Sequence, residues 1–389
     1  MIVENLPVPF DRRVWLEATS LVQEGFHVSV ISPRKPGDVP HAVIDGVRVY
    51  RYKMYPPTRG VLSFLWEFTY CWAMTFWLSL VVLRREGFDA IHACNPPDTF
   101  WLLGRIYKLF GKKYVFDHHD LNPELYESRF GKRGWLHRAL LWLERQQFRT
   151  ADRVISTNES YRQVAIQRGG VPPERVVVVR SGPDLNRFHR VAPNPPLRRG
   201  KRYMAVYLGV MGPQDGVDYL VRAAEHVVRT FRREDIQFVL VGDGDVRSDL
   251  EEMAHAKGLD ECVCFTGRIP DEELHEVLST ADIALAPDPK NPLNDLSTMN
   301  KVVEYMAMGL PIVSFDLKET RYSAGEAAVY ATPNDEQEFA RLIIELLDDP
   351  ERRQRMGVYG AQRVREHLAW EHSRRVLVQL YRDLLCGGE

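Results

Sequence analysis

The sequence predicts an α/β protein built from two doubly wound, Rossmann-like domains, and three observations lead to this prediction. Short apolar runs alternate with amphipathic helical segments, which is the pattern of parallel sheets covered by helices. The alternation stops at a stretch rich in Pro and Arg, residues 186–202, and then starts again. The length of 389 residues also exceeds what one ordinary core supports.

In the first half, the predicted strands end in polar residues. The strand Lys113–Phe116 runs directly into DHHDLNPE, which places two His among three carboxylates, and the strand Ala90–Ala93 ends close to Asn95. Open α/β sheets keep their sites at the carboxyl ends of their strands, so we predict a functional site here. The spacing offers no third ligand for a zinc site.

In the second half, the stretch Asp288–Ser314 predicts a polar loop, a helix that begins near Asn300, and a strand. The free N–H groups and the positive dipole end of such a helix suit a phosphate. Lys301 adds a positive charge in the first turn, and Glu304 lies on the same face. This set could hold a diphosphate and the diol of a ribose. The alternative is a βαβ unit whose loop is simply solvated.

Glycine-rich turns follow two further predicted strands of this half. Gly209–Gly216 follows Met204–Leu208, and Gly242-Asp-Gly244 follows Phe238–Val241. The second turn lacks the third glycine of a dinucleotide fingerprint. Asp243 and Asp245 are spaced like metal ligands but have no supporting cluster, so we predict no metal site.

Composition restricts the partners and the compartment. Residues 1–190 hold 27 Lys and Arg against 19 Asp and Glu, a balance of +8, and the remainder has a balance of −10. A basic first half suggests an anionic partner such as a phospholipid headgroup or a lipid diphosphate. No dense basic run with interleaved aromatic residues predicts nucleic-acid binding. Five cysteines without a CxxC pair, and no signal peptide, predict a cytoplasmic protein.

The segment Val61–Leu83 has the length of a membrane span, but Glu67 interrupts it. Three interpretations remain open: a span, a helix buried against the first sheet, and a helix that lies at the inner face of the plasma membrane. The third is favoured by basic residues beyond the segment and by aromatic side chains that suit the headgroup zone, namely Trp66, Trp72, Phe76 and Trp77.

Four motifs together resemble the retaining glycosyltransferases of family 4: FDRRVW at Phe10–Trp15, FDHHDLNPE at Phe116–Glu124, FTG at Phe265–Gly267 and NKVVEYMAMGLP at Asn300–Pro311. The resemblance implies the GT-B architecture, in which two Rossmann-like domains face each other across a cleft. We therefore predict an acceptor-binding domain at 1–190, a linker at 191–202 and a nucleotide-sugar-binding domain at 203–365. Residues 366–389 are predicted as a helix that returns to the first domain.

The resemblance also implies roles for individual residues. Glu304 matches the glutamate that holds the donor ribose, and Arg268 and Ile269 match the backbone near the base. His119 matches the active-site histidine near the donor sugar. The remaining predicted donor-binding residues are Asp295, Ser297, Thr298, Asn300, Gly212, Gln214 and Gly242. The predicted acceptor-side residues are Asp11, Arg12, Arg13, Asn95, Asp120 and Glu124.

The sequence departs from the family pattern at two places. Leu296 occupies the position of the first glutamate of the Glu-x7-Glu motif, with Asp295 beside it. The turn that usually carries an Arg and a Lys for the diphosphate here carries Met211, Gln214 and Asp215. We therefore predict that Lys301 and Arg180 act as the catalytic cations beside His119.

The implied function is the transfer of a hexose from a nucleotide-diphosphate sugar to a hydroxyl of a glycan or polyprenyl-diphosphate-linked acceptor, in envelope polysaccharide or glycolipid synthesis. The implied mechanism is a front-face displacement without a metal or other cofactor, in which the leaving phosphate takes the acceptor proton. The alternatives are a GT-B-like nucleotide-sugar epimerase and a non-catalytic nucleotide-binding protein.

Overall fold

The computed structural model describes residues 1–54, 61–185 and 187–386, without the side chains of 61–65, 67 and 386. The strands are β1 Ser29–Arg34, β2 His41–Ile44, β3 Val47–Lys53, β4 Ala90–Cys94, β5 Lys113–His118, β6 Arg153–Ser156, β7 Val176–Val178, β8 Tyr203–Leu208, β9 Ile236–Val241, β10 Val263–Gly267, β11 Ile283–Ala286, β12 Ile312–Phe315 and β13 Ala328–Ala331. The helices are α1 Arg12–Gln23, α2 Val61–Arg85, α3 Trp101–Lys108, α4 Asn122–Phe130, α5 Trp135–Thr150, α6 Glu159–Gln167, α7 Val217–Glu225, α8 Arg247–Ala256, α9 Asp271–Thr280, α10 Asn300–Ala307, α11 Lys318–Ala324, α12 Glu336–Asp348, α13 Pro350–Arg363 and α14 Trp370–Cys386.

The chain divides into two compact units. The first unit contains Met1–Arg180 and Ser373–Glu389, and the second contains Ser181–His372. The first unit therefore ends at Arg180 rather than at residue 190. Residues 191–202, predicted as a linker, bond to the second unit, where the Val191 N–H donates to Ser279 Oγ and Arg198 pairs with Asp282. Their Pro-rich sequence has no periodicity, so the sequence could not show this packing.

In the first unit the strands form two ladders in the orders β1-β3-β2 and β4-β5-β6-β7. All pairs are parallel except β2 with β3. Ile2 bridges Ile31 of β1 and Ala93 of β4, and so connects the two ladders. The apolar side chains of β4 to β7 pack with α3 and α5 in one core.

The helix α2 packs against the sheet of the first unit. Its buried stripe consists of Cys71, Thr75, Ser79 and Val82, and Ser79 Oγ lies 2.8 Å from the hydroxyl of Tyr107. Within the described residues, no helix is long and apolar enough to cross a membrane. The side chain of Glu67, on which the sequence argument partly rested, lies outside the described residues.

The second unit is one parallel sheet in the order β10-β9-β8-β11-β12-β13. Every residue of β9, β11 and β12 is buried, as expected of strands covered on both faces. One core packs α7, α8 and α12 against the sheet, and a second core packs α9 and α10. The unit is therefore doubly wound, and the loops after β8, β9, β10 and β11 meet at its carboxyl edge.

Candidate active site

Three glycine turns pack directly on one another at the carboxyl edge of the second sheet. Gly242 has a φ of +137°, and a Cβ there would lie 1.8 Å from the carbonyl oxygen of Gly209. A Cβ on Gly244 would lie 2.5 Å from the carbonyl of Met211. The Gly242 N–H donates to Gly267 O at 3.0 Å. These contacts require glycine, and they leave a surface made largely of backbone rather than side chains.

Lys301 lies beneath this edge, in the first turn of α10. Its side chain is 9% exposed, and its Nζ donates to Asp288 Oδ1 at 2.6 Å. Burial lowers the pKa of Lys301, but the charges of Asp288 and Asp215 more than offset this, so the pKa is raised and the ammonium stays charged. Asp288 Oδ2 is buried and has no hydrogen-bond partner among the described residues. The positive charge of Lys301 is therefore partly balanced by the carboxylates of Asp288 and Asp215.

The loop between β11 and α10 is held by its own polar side chains. Asn294 Nδ2 donates to the carbonyls of Gln214 and Pro289, and Ser297 Oγ donates to Leu293 O. The Asp295 carboxylate accepts from the Lys318 N–H at 2.9 Å, at the start of α11. Asp295 thus bonds to a helix N-terminus, which is a local role that the sequence did not predict.

Other predicted donor-binding residues lie along the same edge. The Gly212 N–H donates to Asp215 Oδ2 at 2.9 Å, and Gln214 Oε1 is buried without a partner among the described residues. Arg268 is exposed, and Ile269 packs against the core beside α10. The other predicted donor-binding residues, Thr298, Asn300 and Glu304, lie on α10 or just before it.

Arg187 is a cation close to Glu304 that the sequence did not suggest. It pairs with Asp271 through Nε, at 2.6 Å. Burial lowers the pKa of Arg187, but Asp271 and, more weakly, Glu304 raise it, and the net pKa is raised. Its position in an aperiodic stretch gave no sequence signal.

In the first unit, Asn95 organises the loop that carries His119. Its Oδ1 accepts from the N–H groups of His119 and Asp120, at 2.9 and 3.0 Å. Its Nδ2 donates to Asp120 O at 2.7 Å and to Asp98 Oδ1 at 3.2 Å. Asn95 is buried, so the structure gives it a loop-holding role rather than a place on an open surface. The pKa of Asp120 is raised by burial.

His119 contacts Asp117, a buried carboxylate that the sequence analysis left without a role. The distance from His119 Nδ1 to Asp117 Oδ2 is 2.9 Å. Arg13 donates from Nε and Nη2 to the two oxygens of Asp117, at 3.0 and 2.8 Å, and from Nη1 to Val179 O. Burial raises the pKa of Asp117, but Arg13 and His119 bring it well below its usual range. Arg13, predicted for the acceptor side, therefore holds a buried carboxylate.

The other predicted residues of the first unit have varied surroundings. Asp11 caps α1 by accepting from the Val14 N–H at 3.1 Å, and Arg12 is exposed. Glu124 pairs with Arg168, which also contacts Glu144 at 2.7 Å. Arg180 is half-buried at the end of this unit. Asp11 and Glu124 thus have structural partners that a motif alone could not reveal.

Glu17, His92, Cys94 and Asp117 are the one group among the described residues that combines ligand-type side chains closely enough for a metal ion. All four are buried, and Arg13 Nη2 lies 3.1 Å from Glu17 and 2.8 Å from Asp117. A guanidinium among these carboxylates supplies the positive charge that an ion would bring. The group is therefore better described as a buried ion network.

A cavity of ≈ 570 Å³ in the first unit is lined in part by His92, but not by Arg13, Asp117 or His119. Ser29 and Ala90, the first residues of β1 and β4, border it. It therefore lies at the amino ends of the parallel strands, which is the edge opposite to the one where open α/β sheets hold their ligands. We assign it no part in the site.

Two family models match the chain. The Glycosyl transferase 4-like domain matches residues 11–182, and Glycosyl transferases group 1 matches residues 202–349. The first match contains His119 and the second contains Lys301 and Glu304. The two matches follow the two halves that the strand and helix alternation predicted.

Individual proteins resemble the chain more distantly. Alpha-D-kanosaminyltransferase of Streptomyces kanamyceticus is 28% identical over 228 residues, which is 57% of this chain and 57% of that enzyme. Sucrose-phosphate synthase from Thermosynechococcus elongatus superposes with a TM-score of 0.81 at 21% identity, covering 100% and 96% of the two chains. Anabaena HepE in complex with UDP-glucose gives 0.74 at 16% identity, covering 98% of each chain. The structural likeness establishes a shared fold.

Proposed function

The chain belongs to the family-4 glycosyltransferases with the GT-B fold, and on that premise we propose that it transfers a hexose from a nucleotide-diphosphate sugar, with retention of configuration. The acceptor in this proposal is a hydroxyl of a glycan or of a polyprenyl-diphosphate-linked sugar, in envelope polysaccharide or glycolipid synthesis. The observation that carries the proposal is the edge of the second unit, where packed glycine turns adjoin Lys301 and the start of α10.

The donor diphosphate has a chemically suitable place at this edge. The first N–H groups of α10 and one buried ammonium are suited to negative charge, and such groups stabilise the transition state as charge develops. Lys301 and Arg180 are the proposed cations, and Glu304 is the proposed ligand of the ribose hydroxyls. HepE has been solved with UDP-glucose, which makes a uridine nucleotide the first donor to test.

The proposed reaction breaks the bond between the sugar's anomeric carbon and the diphosphate oxygen. The acceptor oxygen bonds to the same carbon from the same face, and its proton passes to the leaving phosphate. The nucleoside diphosphate leaves with the electron pair. The protein's contribution in this mechanism is to position both substrates and to stabilise the departing charge, with no metal or other cofactor.

We also propose that the first unit contacts an anionic membrane surface from the cytoplasmic side. On α2, Trp66 and Trp77 are 58% and 61% exposed, and Arg84 and Arg85 follow in the last turn. Trp72 and Phe76, predicted for the same surface, instead pack against the core. Each basic residue that reaches anionic lipid would add about 1 kcal/mol.

The function is tested by donor turnover with and without acceptor sugars, after a thermal-shift screen of nucleotide sugars. A ligand at about 100 times its dissociation constant stabilises by roughly 2.7 kcal/mol. Acceptor-dependent release of the nucleoside diphosphate, with an α-linked product from an α-linked donor, supports the proposal. Conversion of the donor sugar without acceptor would identify an epimerase, and binding without turnover would identify a binding protein.

The membrane proposal is tested by flotation with liposomes. We expect binding to anionic but not to neutral vesicles, weakened by salt. Trp66→Ser combined with Trp77→Ser should reduce binding, whereas Tyr322→Ser, which alters an exposed aromatic of the second unit, should not. Absence of binding to either kind of vesicle would contradict the proposal.

A further inference from the structure

The side chains behind His119 form a chain of contacts that ends in the first unit's interior. His119 Nδ1 contacts Asp117 at 2.9 Å, and Arg13 binds both oxygens of Asp117. His92 Nε2 lies 3.7 Å from Asp117, and His92 Nδ1 lies 2.8 Å from the hydroxyl of Tyr381. The Asp117 side chain is fully buried, while the His119 side chain remains 14% exposed. His119 is therefore the most exposed of these side chains, followed by Arg13 at 10%.

The contacts determine which nitrogen of His119 carries a proton. Arg13 is always charged and can only donate, and its two bonds to Asp117 require an ionised carboxylate. An ionised carboxylate can only accept, so His119 Nδ1 must be the donor in their contact. The other ring nitrogen, Nε2, has no hydrogen-bond partner among the described residues. Nε2 is thus left available for a ligand.

We propose that Asp117 is a positioning residue, which fixes the ring of His119 through Nδ1 and makes Nε2 a hydrogen-bond donor toward the bound sugar nucleotide. The inference rests on the proposed function, in which His119 lies near the donor sugar. On that proposal, a charged imidazolium at His119 would add a positive charge beside the donor sugar.

The charges around His119 favour its protonated form. Burial lowers the pKa of His119, but Asp117 and Asp120 raise it more than Arg13 lowers it, to about 9. Glu17, the other carboxyl of the network, has its pKa raised by burial and by Asp117 to about 8, and it is therefore mostly neutral at pH 7. Asp117 is the nearest negative charge to His119 and supplies most of the electrostatic stabilisation.

A simpler explanation is that Asp117 serves only as the salt-bridge partner of Arg13. Stability measurements alone cannot distinguish this role from the positioning of His119. Loss of Asp117 would remove two hydrogen bonds from the buried Arg13, so it should lower stability under either explanation. The discriminating property is whether Asp117 acts on kcat through His119. A purely structural Asp117 would still shift the ring's titration, since it lies 2.9 Å from the ring, but its loss would lower kcat equally with and without His119.

The test is an NMR titration of the full chain with isotope-labelled histidine. The His119 signals are assigned as those that disappear in His119→Asn. We expect the wild-type ring to titrate near 9, against an ordinary value of 6.5, and its neutral form to carry the proton on Nδ1. Asp117→Asn should move the titration below 6.5, and Glu17→Gln should lower it by much less, because Glu17 makes no hydrogen bond to the ring of His119.

The wild-type titration decides the inference even if Asp117→Asn does not fold. A wild-type His119 that titrates at or below 6.5, or whose neutral form carries its proton on Nε2, would overturn it. This readout needs no substrate, so an inactive protein with the expected titration would contradict the proposed function but leave the positioning of His119 by Asp117 standing.

Measurements of kcat test whether Asp117 affects turnover through His119. We expect Asp117→Asn to lower kcat at least about tenfold, because a misplaced hydrogen-bond donor loses much of its stabilising effect. In the His119→Asn background the same change should have little further effect on kcat. Equal losses in both backgrounds would show that Asp117 acts independently of His119, and would overturn the inference while transfer itself persists.

Discussion

The carboxyl edges of the sheets in the two units differ in the groups that form them. In the first unit, the edge rests on buried ionisable side chains: charge-assisted hydrogen bonds hold Arg13, Asp117 and His119 together, and Glu17 lies 3.1 Å from Arg13. In the second unit, the edge consists mainly of backbone, because Gly209, Gly242, Gly244 and Gly267 bring three turns into direct contact. The geometry of the first edge depends on which of its side chains are protonated. The geometry of the second edge depends on glycines, because a Cβ would push the turns apart.

The difference suggests a division of chemical work. Backbone groups do not titrate, so the hydrogen bonds between these turns stay the same at any ordinary pH. A network of buried carboxylates and imidazoles changes its charge with pH and with every substitution. We therefore expect substitutions at the second edge to act on folding and donor binding, and substitutions at the first edge to act through protonation.

The largest effect is expected for Gly242→Ala in the second edge. The new Cβ would lie 1.8 Å from Gly209 O, at a φ of +137°, so the turns must separate. We expect a loss of stability of more than about 4 kcal/mol and no measurable donor binding. The control is Gly258→Ala, where φ is +64° and the Cβ meets only Arg229 at 3.6 Å. It should cost about 1 kcal/mol, and equal thermal denaturation of the two variants would contradict the packing argument.

Lys301→Met should slow turnover by about two orders of magnitude, as loss of one charge-stabilising donor does. It should also destabilise the chain, because Asp288 would be buried without its partner. Combining Lys301→Met with Asp288→Asn removes both charges. The double variant should recover stability but not turnover, and a parallel recovery of both would show that Lys301 serves only the fold.

Arg180, the other proposed diphosphate cation, is half-buried at the end of the first unit. Arg180→Met should likewise reduce kcat by about two orders of magnitude if Arg180 acts as the proposed cation for the leaving diphosphate. The matched control is Arg153→Met, an arginine at the start of β6 and hence at the opposite edge of the same sheet. Similar kcat values for the two variants would show that Arg180 does not stabilise the leaving diphosphate.

Glu304→Gln should weaken donor binding at least about tenfold, since a charged acceptor holds each ribose hydroxyl more strongly than a neutral one. Calorimetric titration with the donor measures this. Glu252→Gln changes an exposed glutamate on α8 and should leave the affinity unchanged. An unaltered affinity in Glu304→Gln would refute the ribose assignment.

The sequence revealed the second edge better than the first. Glycine turns after apolar strands and the NKVVEYM motif identify that edge because their spacing is local. The partners of the first edge are far apart in sequence: Arg13 and Asp117 are joined only by the fold. Asp117 lies in the motif FDHHDLNPE, which the sequence analysis selected as a site. No local spacing, however, distinguishes a carboxylate that contacts His119 from one that faces solvent. Asp295 and Asn95 show the same limit, since their hydrogen-bond partners depend on neighbouring loops.

The smallest expected effect concerns the pH dependence of stability in the first unit. The pKa of Glu17 is raised from 4.5 to about 8 by burial and by Asp117. A group whose pKa is higher in the folded state stabilises the fold below its unfolded pKa, and this contribution is lost as pH rises through the folded pKa. The wild type should therefore lose stability between about pH 4.5 and 8.

Glu17→Gln mimics the neutral acid and cannot ionise, so it should be little changed at pH 6. At pH 9 it should melt at least about 2 °C above the wild type, because the wild type must either bury a second negative charge beside Asp117 or take up a proton. The matched control is Glu24→Gln, whose carboxylate pairs with Arg374 and Arg382 at the surface. It should lower Tm slightly at both pH values. If Glu17→Gln is less stable than the wild type at pH 9, the Glu17 carboxylate is ionised in the folded protein and the neutral-acid assignment is wrong.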